Sequence, residues 1–430
     1  MRKIIKDTLL LAASNVFSIV LTALGTLFVA KILEPDGYGG YSAYKLIISY
    51  IINLQLGVFQ GLQREIPYVK ALGEYKKLQS LLNSVFSFTI YVSIISIFII
   101  LIFSLNSSPF FKKIFILTLP FVPLYFFKEL FKFSLKGLEN FIGLSILNIF
   151  DSVTVIFFAI IFSIFFKAEG AVLGFALSHL VLFFLALFIT KKIFLGIKLN
   201  FEDIKSLFKV GFPIFFIGVL NIFLFSIDRL FILGTYGRES FGIYVMALNF
   251  LNLISQVPVA FAVVLLPFLT RKKALEGSLE RFIEKDFLIF AYLLFISVLI
   301  ISINPIICFI INNFLYKYKP ALPLLKLLLE FIPFSTLSYF FYSFLIAENK
   351  HLFIIPYQII LLPLSIILNS ILIPIFGIKG AGISFLISQT LFTLITIFIS
   401  YRFIKFKLLK SLLIFLTVSF FHFLIFEKFF

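Results

Sequence analysis

The chain contains 430 residues, of which 61% are hydrophobic and only 13% charged, and its formal net charge is +17. Soluble globular domains are about half apolar and about a quarter charged, so most of this apolar surface must face lipid. One cysteine and three scattered histidines offer neither a disulfide framework nor metal-ligand spacing. The excess of cations is typical of loops facing anionic lipid, and no pattern of nucleic acid recognition accompanies it.

Apolar runs long enough to cross a bilayer begin close to the N-terminus. A transmembrane helix needs about 20 mostly apolar residues. The first run follows Arg2, Lys3 and Lys6 and lacks a cleavage site, so it predicts an uncleaved span rather than a signal peptide. The twelve predicted spans are 8–33, 41–63, 79–104, 114–131, 142–166, 170–190, 209–234, 241–269, 287–312, 321–347, 352–376 and 379–402. A further segment, 411–427, either crosses the membrane or lies on it.

The distribution of Lys and Arg predicts the orientation. With the N-terminus inside, the inner loops and helix ends carry 25 Lys and Arg, and the outer ones carry nine. This asymmetry follows the positive-inside rule. We therefore expect a multi-pass protein of the cell (inner or plasma) membrane with a cytoplasmic N-terminus.

Two sequence landmarks recur at similar offsets. Tyr38-Gly39-Gly40-Tyr41 returns as Phe241-Gly242-Ile243-Tyr244 after 203 positions, and Gly170-Ala171 returns as Gly380-Ala381 after 210. Two matches in register predict a duplicated six-helix unit whose copies share one orientation, because six is even. We predict an N-terminal lobe over 1–200, a C-terminal lobe over 201–405 and an extra hydrophobic segment over 406–430.

Four landmarks resemble one family of membrane proteins, in the expected order along the chain. They are Ala30 to Gly39, Leu135 to Phe141, Ser226 to Tyr244 and Asn369 to Ser384. These stretches are similar to the polysaccharide transporter branch, including Wzx-type O-antigen flippases, of the multidrug/oligosaccharidyl-lipid/polysaccharide exporter superfamily. The motifs consist mainly of turn and helix-packing residues, so they indicate the family better than the substrate.

The resemblance implies an all-α polytopic fold of two pseudo-symmetric six-helix lobes around a central cavity. It also implies a substrate in which a polyprenyl phosphate or pyrophosphate carries an oligosaccharide. Such a flippase moves the glycan from the cytoplasmic to the outer face by alternating access. The expected partners are this lipid-linked oligosaccharide, membrane lipids and a proton or sodium as coupling ion.

Two other functions stay open. A cation-coupled drug exporter of the related multidrug and toxin extrusion branch would need an acidic site, which Lys45 and Arg229 oppose. A membrane glycan polymerase or ligase usually has a large outer loop, whereas the longest outer loops here lie only around 105–113 and 313–320. The sequence contains no Walker loop, nucleophile elbow or metal-bound catalytic pair, so we predict no enzyme activity, cofactor or resident metal.

Charged residues inside the spans are the leading site candidates, because burying a charge in a bilayer is costly. Lys45 and Arg229 are candidates for binding a substrate phosphate, although both could instead extend to the outer interface. Asp228, beside Arg229, is a candidate for the polar path or for ion coupling. Asp151 lies deepest; it either binds a coupling ion or sugar, or pairs with a Lys within the bundle.

The remaining candidates are less specific. Arg64 and Lys128 mark an inner entry for the phosphate or ordinary interfacial charge. Asn53, Asn221 and Asn249 either line a sugar path or make hydrogen bonds between helices.

Overall fold

The protein is built from helices throughout its described parts. The computed structural model describes residues 2–190, 196–276, 296, 299–300, 303–329, 332–348 and 350–404, and within these ranges every regular element is a helix. The predicted all-α membrane class is confirmed. The segment 411–427 and much of the span 287–312 lie outside the described residues, so the count of twelve spans stays a prediction.

Thirteen helices carry our labels, in chain order. They are α1 (Arg2–Ile51), α2 (Val58–Ala71), α3 (Tyr75–Leu105), α4 (Pro109–Thr118), α5 (Val122–Gly137), α6 (Phe141–Thr190), α7 (Phe201–Leu224), α8 (Ile227–Glu276), α9 (Ile303–Phe314), α10 (Leu322–Leu329), α11 (Ile332–Ala347), α12 (Ile355–Phe376) and α13 (Ile378–Ile404). Within the described residues, seven helical stretches are long and apolar enough to cross a bilayer.

Three helices are too long for a single crossing. α1, α6 and α8 each contain 50 residues, or about 75 Å at 1.5 Å per residue, against a hydrocarbon core of about 30 Å. Each is broken by one residue with non-helical backbone angles, at Glu34, Lys167 and Gly237 respectively. In α6 the chain folds back at Lys167. The two arms then pack so closely that a Cβ added at Gly174 would overlap the carbonyl oxygen of Phe158. Each of these long helices, divided at its break, can therefore supply two predicted spans.

The positions of these breaks repeat along the chain. Gly237 follows Glu34 by 203 positions, and Gly377, where α12 ends, follows Lys167 by 210. The packing of the helices just after Lys167 and Gly377 repeats as well. A Cβ at Gly170 would overlap the Phe162 carbonyl oxygen, and a Cβ at Gly380 would overlap that of Leu372, again 210 positions later. The offsets found in the sequence are thus also offsets between equivalent turns.

The chain forms two compact units, 1–219 and 220–430. The division falls inside α7, whereas the sequence analysis placed it at residue 200. The first half of α7 belongs to the first unit because Asp203 bonds to Lys77 and Ser80, each at 2.5 Å, and to Ser84 at 3.1 Å. Glycines then allow close packing, since a Cβ at Gly211 would overlap the Gly57 carbonyl oxygen.

The predicted span 41–63 is interrupted rather than continuous. α1 ends at Ile51, a 3₁₀ turn follows, and Leu56 and Gly57 adopt positive φ values of 50° and 92° before α2 begins. Lipid cannot satisfy the backbone polar groups that such a break exposes. Here the Gln55 side-chain oxygen accepts the backbone N–H groups of Gly57 and Phe59, at 2.9 and 3.0 Å. Gln55 therefore caps the N-terminus of α2 inside the membrane region.

Candidate functional site

Lys45 lies in the second part of α1, deeper than the sequence analysis placed it. The predicted span began at residue 41, but the helix resumes directly after Glu34, with Pro35 in its first turn, where proline is favoured. Lys45 follows Glu34 by eleven residues, or about 16 Å of helix. Its ammonium lies over the rings of Tyr41 and Phe175, 5.0 and 5.8 Å from their centres. Such cation–π contacts stabilise a charge away from water.

Two further lysines meet Asp151 nearby in the first unit. Asp151 is ten residues into α6, about 15 Å along the helix. Its Oδ2 atom is 2.6 Å from the Lys132 Nζ and 3.5 Å from the Lys128 Nζ. Lys128 and Lys132 are four residues apart on α5, so they project from the same face of that helix. All three side chains are 16–17% exposed.

These groups form one electrostatic cluster with Lys45. Lys45 interacts with both Lys128 and Asp151 through their charges. Two carboxylates pair with the lysines of this cluster. One is Asp151, and the other is Glu129, whose Oε1 lies 3.8 Å from the Lys128 Nζ. Three ammonium groups therefore face two carboxylates. We call Lys45, Lys128, Lys132, Asp151 and Glu129 the lysine cluster.

An aromatic and imidazole layer packs beside the lysine cluster. The hydroxyls of Tyr44 and Tyr125 share a hydrogen bond of 2.8 Å, and both residues are buried. The ring of His179 lies 4.5 Å from that of Tyr125, and its Nδ1 is 2.7 Å from the Phe175 carbonyl oxygen, to which it donates. The His179 side chain also interacts electrostatically with Lys128, Asp151 and Lys132. These contacts join α1, α5 and α6, the helices that carry the lysine cluster.

The second unit holds a different polar group. Asp228 is buried, and the Tyr244 hydroxyl donates a hydrogen bond to its Oδ2. No side chain donates to its Oδ1 atom among the described residues, although the backbone N–H groups of Asp228 and Arg229 lie close to the carboxylate, and Arg229 donates no hydrogen bond through Nε. Asp228 precedes the break at Gly237 by nine residues, about 13 Å of helix, so it lies well inside the span rather than at its outer end.

Neighbouring helices bring more unpaired oxygens to the depth of Asp228. Gln358 on α12 donates to Asn221, and Tyr236 donates to the Ile373 carbonyl. In both pairs the partners are 137 residues apart in the sequence, so α12 runs parallel to the α7–α8 segment. Asp228 is thus level with Ser365. Asn369 lies one turn further along, and the hairpin at Gly377 returns α13 to the same depth. Three oxygens there have no partner among the described residues: Asn369 Oδ1, Ser384 Oγ and Ser388 Oγ.

The other candidates fall at separate places. Asn53 donates to the Ser49 carbonyl at 2.7 Å in the interrupted span, while Asn221 accepts from Gln358 at 2.7 Å as a bond between helices. Asn249 is half-buried on α8, and Arg64 is exposed on α2. The structure therefore gathers Lys45, Lys128 and Asp151 in the first unit, whereas Asn221, Asp228, Arg229 and Asn249 belong to the second.

Sequence reasoning missed Lys132 and His179. The predicted span ended at 131, which assigned Lys132 to a loop, but α5 continues to Gly137. The spacing of Lys128 and Lys132 by four residues was the available signal, because it places both on one helical face. Nothing in the sequence distinguished His179 from the two other histidines.

The fold is that of known transporters. A structure of the lipid II flippase MurJ in an inward closed conformation matches with a TM-score of 0.72 at 18% identity, covering 98% of this chain and 93% of that one. An inward-facing multidrug resistance transporter of the MATE family matches with a TM-score of 0.69 at 14% identity, covering 90% and 94%. The helices and these matches define a multi-pass membrane protein with the fold of the MOP superfamily.

The sequence itself identifies the family. Residues 4–273, more than half of the chain, match the family described as polysaccharide biosynthesis protein. The chain therefore belongs to that family, and within the MOP superfamily to the polysaccharide transporter branch. The two matched structures are a flippase and a multidrug transporter, so the fold of this chain is one that transporters use.

One curated relative lies in the drug-export branch. The chain is 26% identical over 310 residues to a multidrug export protein, MepA, of Staphylococcus saprophyticus subsp. saprophyticus. The match covers 67% of this chain and 66% of that protein, slightly under two thirds of the relative's length.

Proposed function

We propose that this protein flips a polyprenyl-phosphate- or pyrophosphate-linked oligosaccharide from the cytoplasmic to the outer face of the cell membrane by alternating access. The lysine cluster is the observation that carries the proposal. Three ammonium groups lie together on membrane helices, and two carboxylates do not neutralise them. Charges so placed are costly and mark substrate pathways. A phosphate supplies the missing negative charge and accepts several charge-assisted hydrogen bonds.

The same cluster argues against an organic cation as the substrate. A hydrophobic cation near Lys45 would meet like charge from Lys45 and Lys128. Two observations favour that alternative: a relative named as a multidrug export protein, and a buried carboxylate, Asp228, in the second unit. Arg229 beside Asp228 reduces the negative character there, so we favour the glycolipid.

The identity of the bound lipid tests this function. The full-length protein, purified in mild detergent from its own membranes, is expected to retain a lipid whose mass and fragments correspond to a polyprenyl phosphate or pyrophosphate carrying sugars. Native mass spectrometry followed by release of bound lipids makes the measurement. Recovery of bulk phospholipid alone, together with saturable binding of a hydrophobic cation, would contradict the proposal in favour of drug export.

We further propose that the coupling ion, a proton or sodium, binds at Asp228 in the second unit. Asp228 contributes an unpaired carboxylate oxygen, and Asn369, Ser384 and Ser388 contribute unpaired neutral oxygens at the same depth. Hard cations prefer such all-oxygen surroundings. Asp151, the other sequence candidate for coupling, already pairs with two lysines, which makes it less suited to binding a cation.

Asp228→Asn is expected to abolish the dependence of transport on a sodium or pH gradient, because it removes the charge that balances the ion. Transport into proteoliposomes, measured with each gradient imposed or collapsed, reports the result. Glu239→Gln is the matched control, since Glu239 is an exposed acidic residue on the same helix. Intact gradient dependence in Asp228→Asn would remove this residue from ion coupling.

A further inference from the structure

Asp151 makes both of its ion pairs through one oxygen atom. Oδ2 lies 2.6 Å from the Lys132 Nζ and 3.5 Å from the Lys128 Nζ. Lys45, by contrast, contacts aromatic rings, and among the described residues no carboxylate lies within ion-pair distance of it. The carboxylate therefore satisfies one side of the lysine cluster and leaves the other side without an anion.

We propose that Asp151 is an internal counter-ion that the substrate phosphate displaces from Lys128 and Lys132. This inference rests on the proposed function. Carboxylate and phosphate oxygens are equivalent acceptors for an ammonium group, so both compete for the same lysines. A phosphate that contacts Lys45 and Lys128 together gains the anion-free lysine, and at Lys128 it replaces the longer and weaker of the two Asp151 contacts.

This competition makes Asp151 a determinant of phosphate affinity. Every phosphate that enters must displace the carboxylate from the lysines before it can bind them. Asp151 therefore lowers the affinity for monophosphates and diphosphates alike. It also keeps the cluster close to neutral when no substrate is bound, which lowers the cost of buried charge in the returning, unloaded protein.

Asp151→Asn tests the proposal in the full-length protein in detergent. The probes are farnesyl diphosphate and farnesyl monophosphate, with binding followed by microscale thermophoresis. We expect the variant to bind both probes more tightly, each by about tenfold or more. Glu169→Gln is the matched control, because it breaks another Lys–carboxylate pair of 2.6 Å in the same unit, with Lys113 at an exposed position. Its affinities are expected to equal those of the natural protein.

A double-variant cycle keeps the proposal testable if Asp151→Asn alone folds poorly. Lys132→Gln leaves Asp151 with Lys128 as its remaining partner, so the diphosphate is expected to bind more weakly. Adding Asp151→Asn to Lys132→Gln restores the net charge and is expected to recover most of the lost affinity. A purely structural Asp151 predicts the opposite, namely a further loss of affinity in the double variant.

Two results separate this inference from the proposed function. If Lys45→Gln and Lys128→Gln bind both probes as the natural protein does, the lysine cluster is not the phosphate site and both proposals fail. If those variants lose binding while folded Asp151→Asn binds no more tightly than the natural protein, the cluster binds phosphate but Asp151 is not a competing counter-ion.

Discussion

Transport of the lipid-linked glycan is expected to fall about tenfold or more in Lys45→Gln and in Lys128→Gln, and further in the double variant. A hydrogen bond to a charged group contributes about 1.5–3 kcal/mol, which corresponds to a factor of about 10 to 100 in binding. Glutamine keeps most of the side-chain volume and a hydrogen-bond donor, so the change removes mainly the charge. The two residues contact one phosphate in our proposal, and their effects are therefore not expected to be additive.

The measurement is flipping of glycolipid extracted from the protein's own membranes, in proteoliposomes with equal amounts of folded protein. Lys113→Gln is the control, because Lys113 is an exposed lysine of the same unit that pairs with Glu169 outside the lysine cluster. Unchanged transport in Lys45→Gln and Lys128→Gln would show that these cations serve packing rather than substrate binding. Equal loss in Lys113→Gln would indicate a general effect of surface charge.

Gly170→Ala and Gly380→Ala are expected to lower stability strongly and by similar amounts. The added Cβ would overlap the carbonyl oxygen of Phe162 in one hairpin and of Leu372 in the other. A backbone atom cannot move aside as a flexible side chain can, so the paired helices must separate along their length. Overpacking of this kind costs about 1–3 kcal/mol and sometimes more. Because the two contacts are equivalent in the repeat, similar losses are expected.

Thermal unfolding in detergent and the yield of monodisperse protein measure these losses. Gly218→Ala and Gly234→Ala are matched controls, since a Cβ at either position meets nothing within 4 Å among the described atoms. Alanine favours a helix by about 1 kcal/mol over glycine, so the controls are expected to be neutral or slightly stabilising. Normal unfolding temperatures in Gly170→Ala and Gly380→Ala would mean that the hairpins do not pack as tightly as the structure indicates.

Much of the fold was predictable because the bilayer constrains it so strongly. Apolar run length identifies helices, and the recurrence of glycine-containing turns identifies the duplication. Helix ends were harder to predict, because a hydropathy window stops at charged residues even where the helix continues. This is why Lys132 was assigned to a loop, although α5 extends to Gly137. The interruption at Leu56 and Gly57 was missed for the converse reason, since no charged residue lies near it to end the apolar run.

The sequence predicted candidate residues for the site, but it did not predict which of them lie together. Sequence gives the depth of a residue within a span, yet the rotation of each helix and its neighbours depend on packing. Lys45, Lys128 and Asp151 were all candidates, but nothing in the sequence indicated that α1, α5 and α6 bring them together. Arg229, the other candidate for phosphate binding, belongs to the second unit, and its role stays a prediction.

Tyr41 and Tyr244 occupy the same position of the repeat, and their roles suggest how the two halves diverged after duplication. The ring of Tyr41 faces an ammonium group, whereas the hydroxyl of Tyr244 faces a carboxylate. An ancestral tyrosine with both an electron-rich ring and a hydroxyl donor could support either sign of charge without change to itself. The sign of the charge beside this tyrosine therefore depends on its neighbours, which are Lys45 in one half and Asp228 in the other. Gene duplication of this kind lets a single polypeptide specialise its halves while both inherit the same turns.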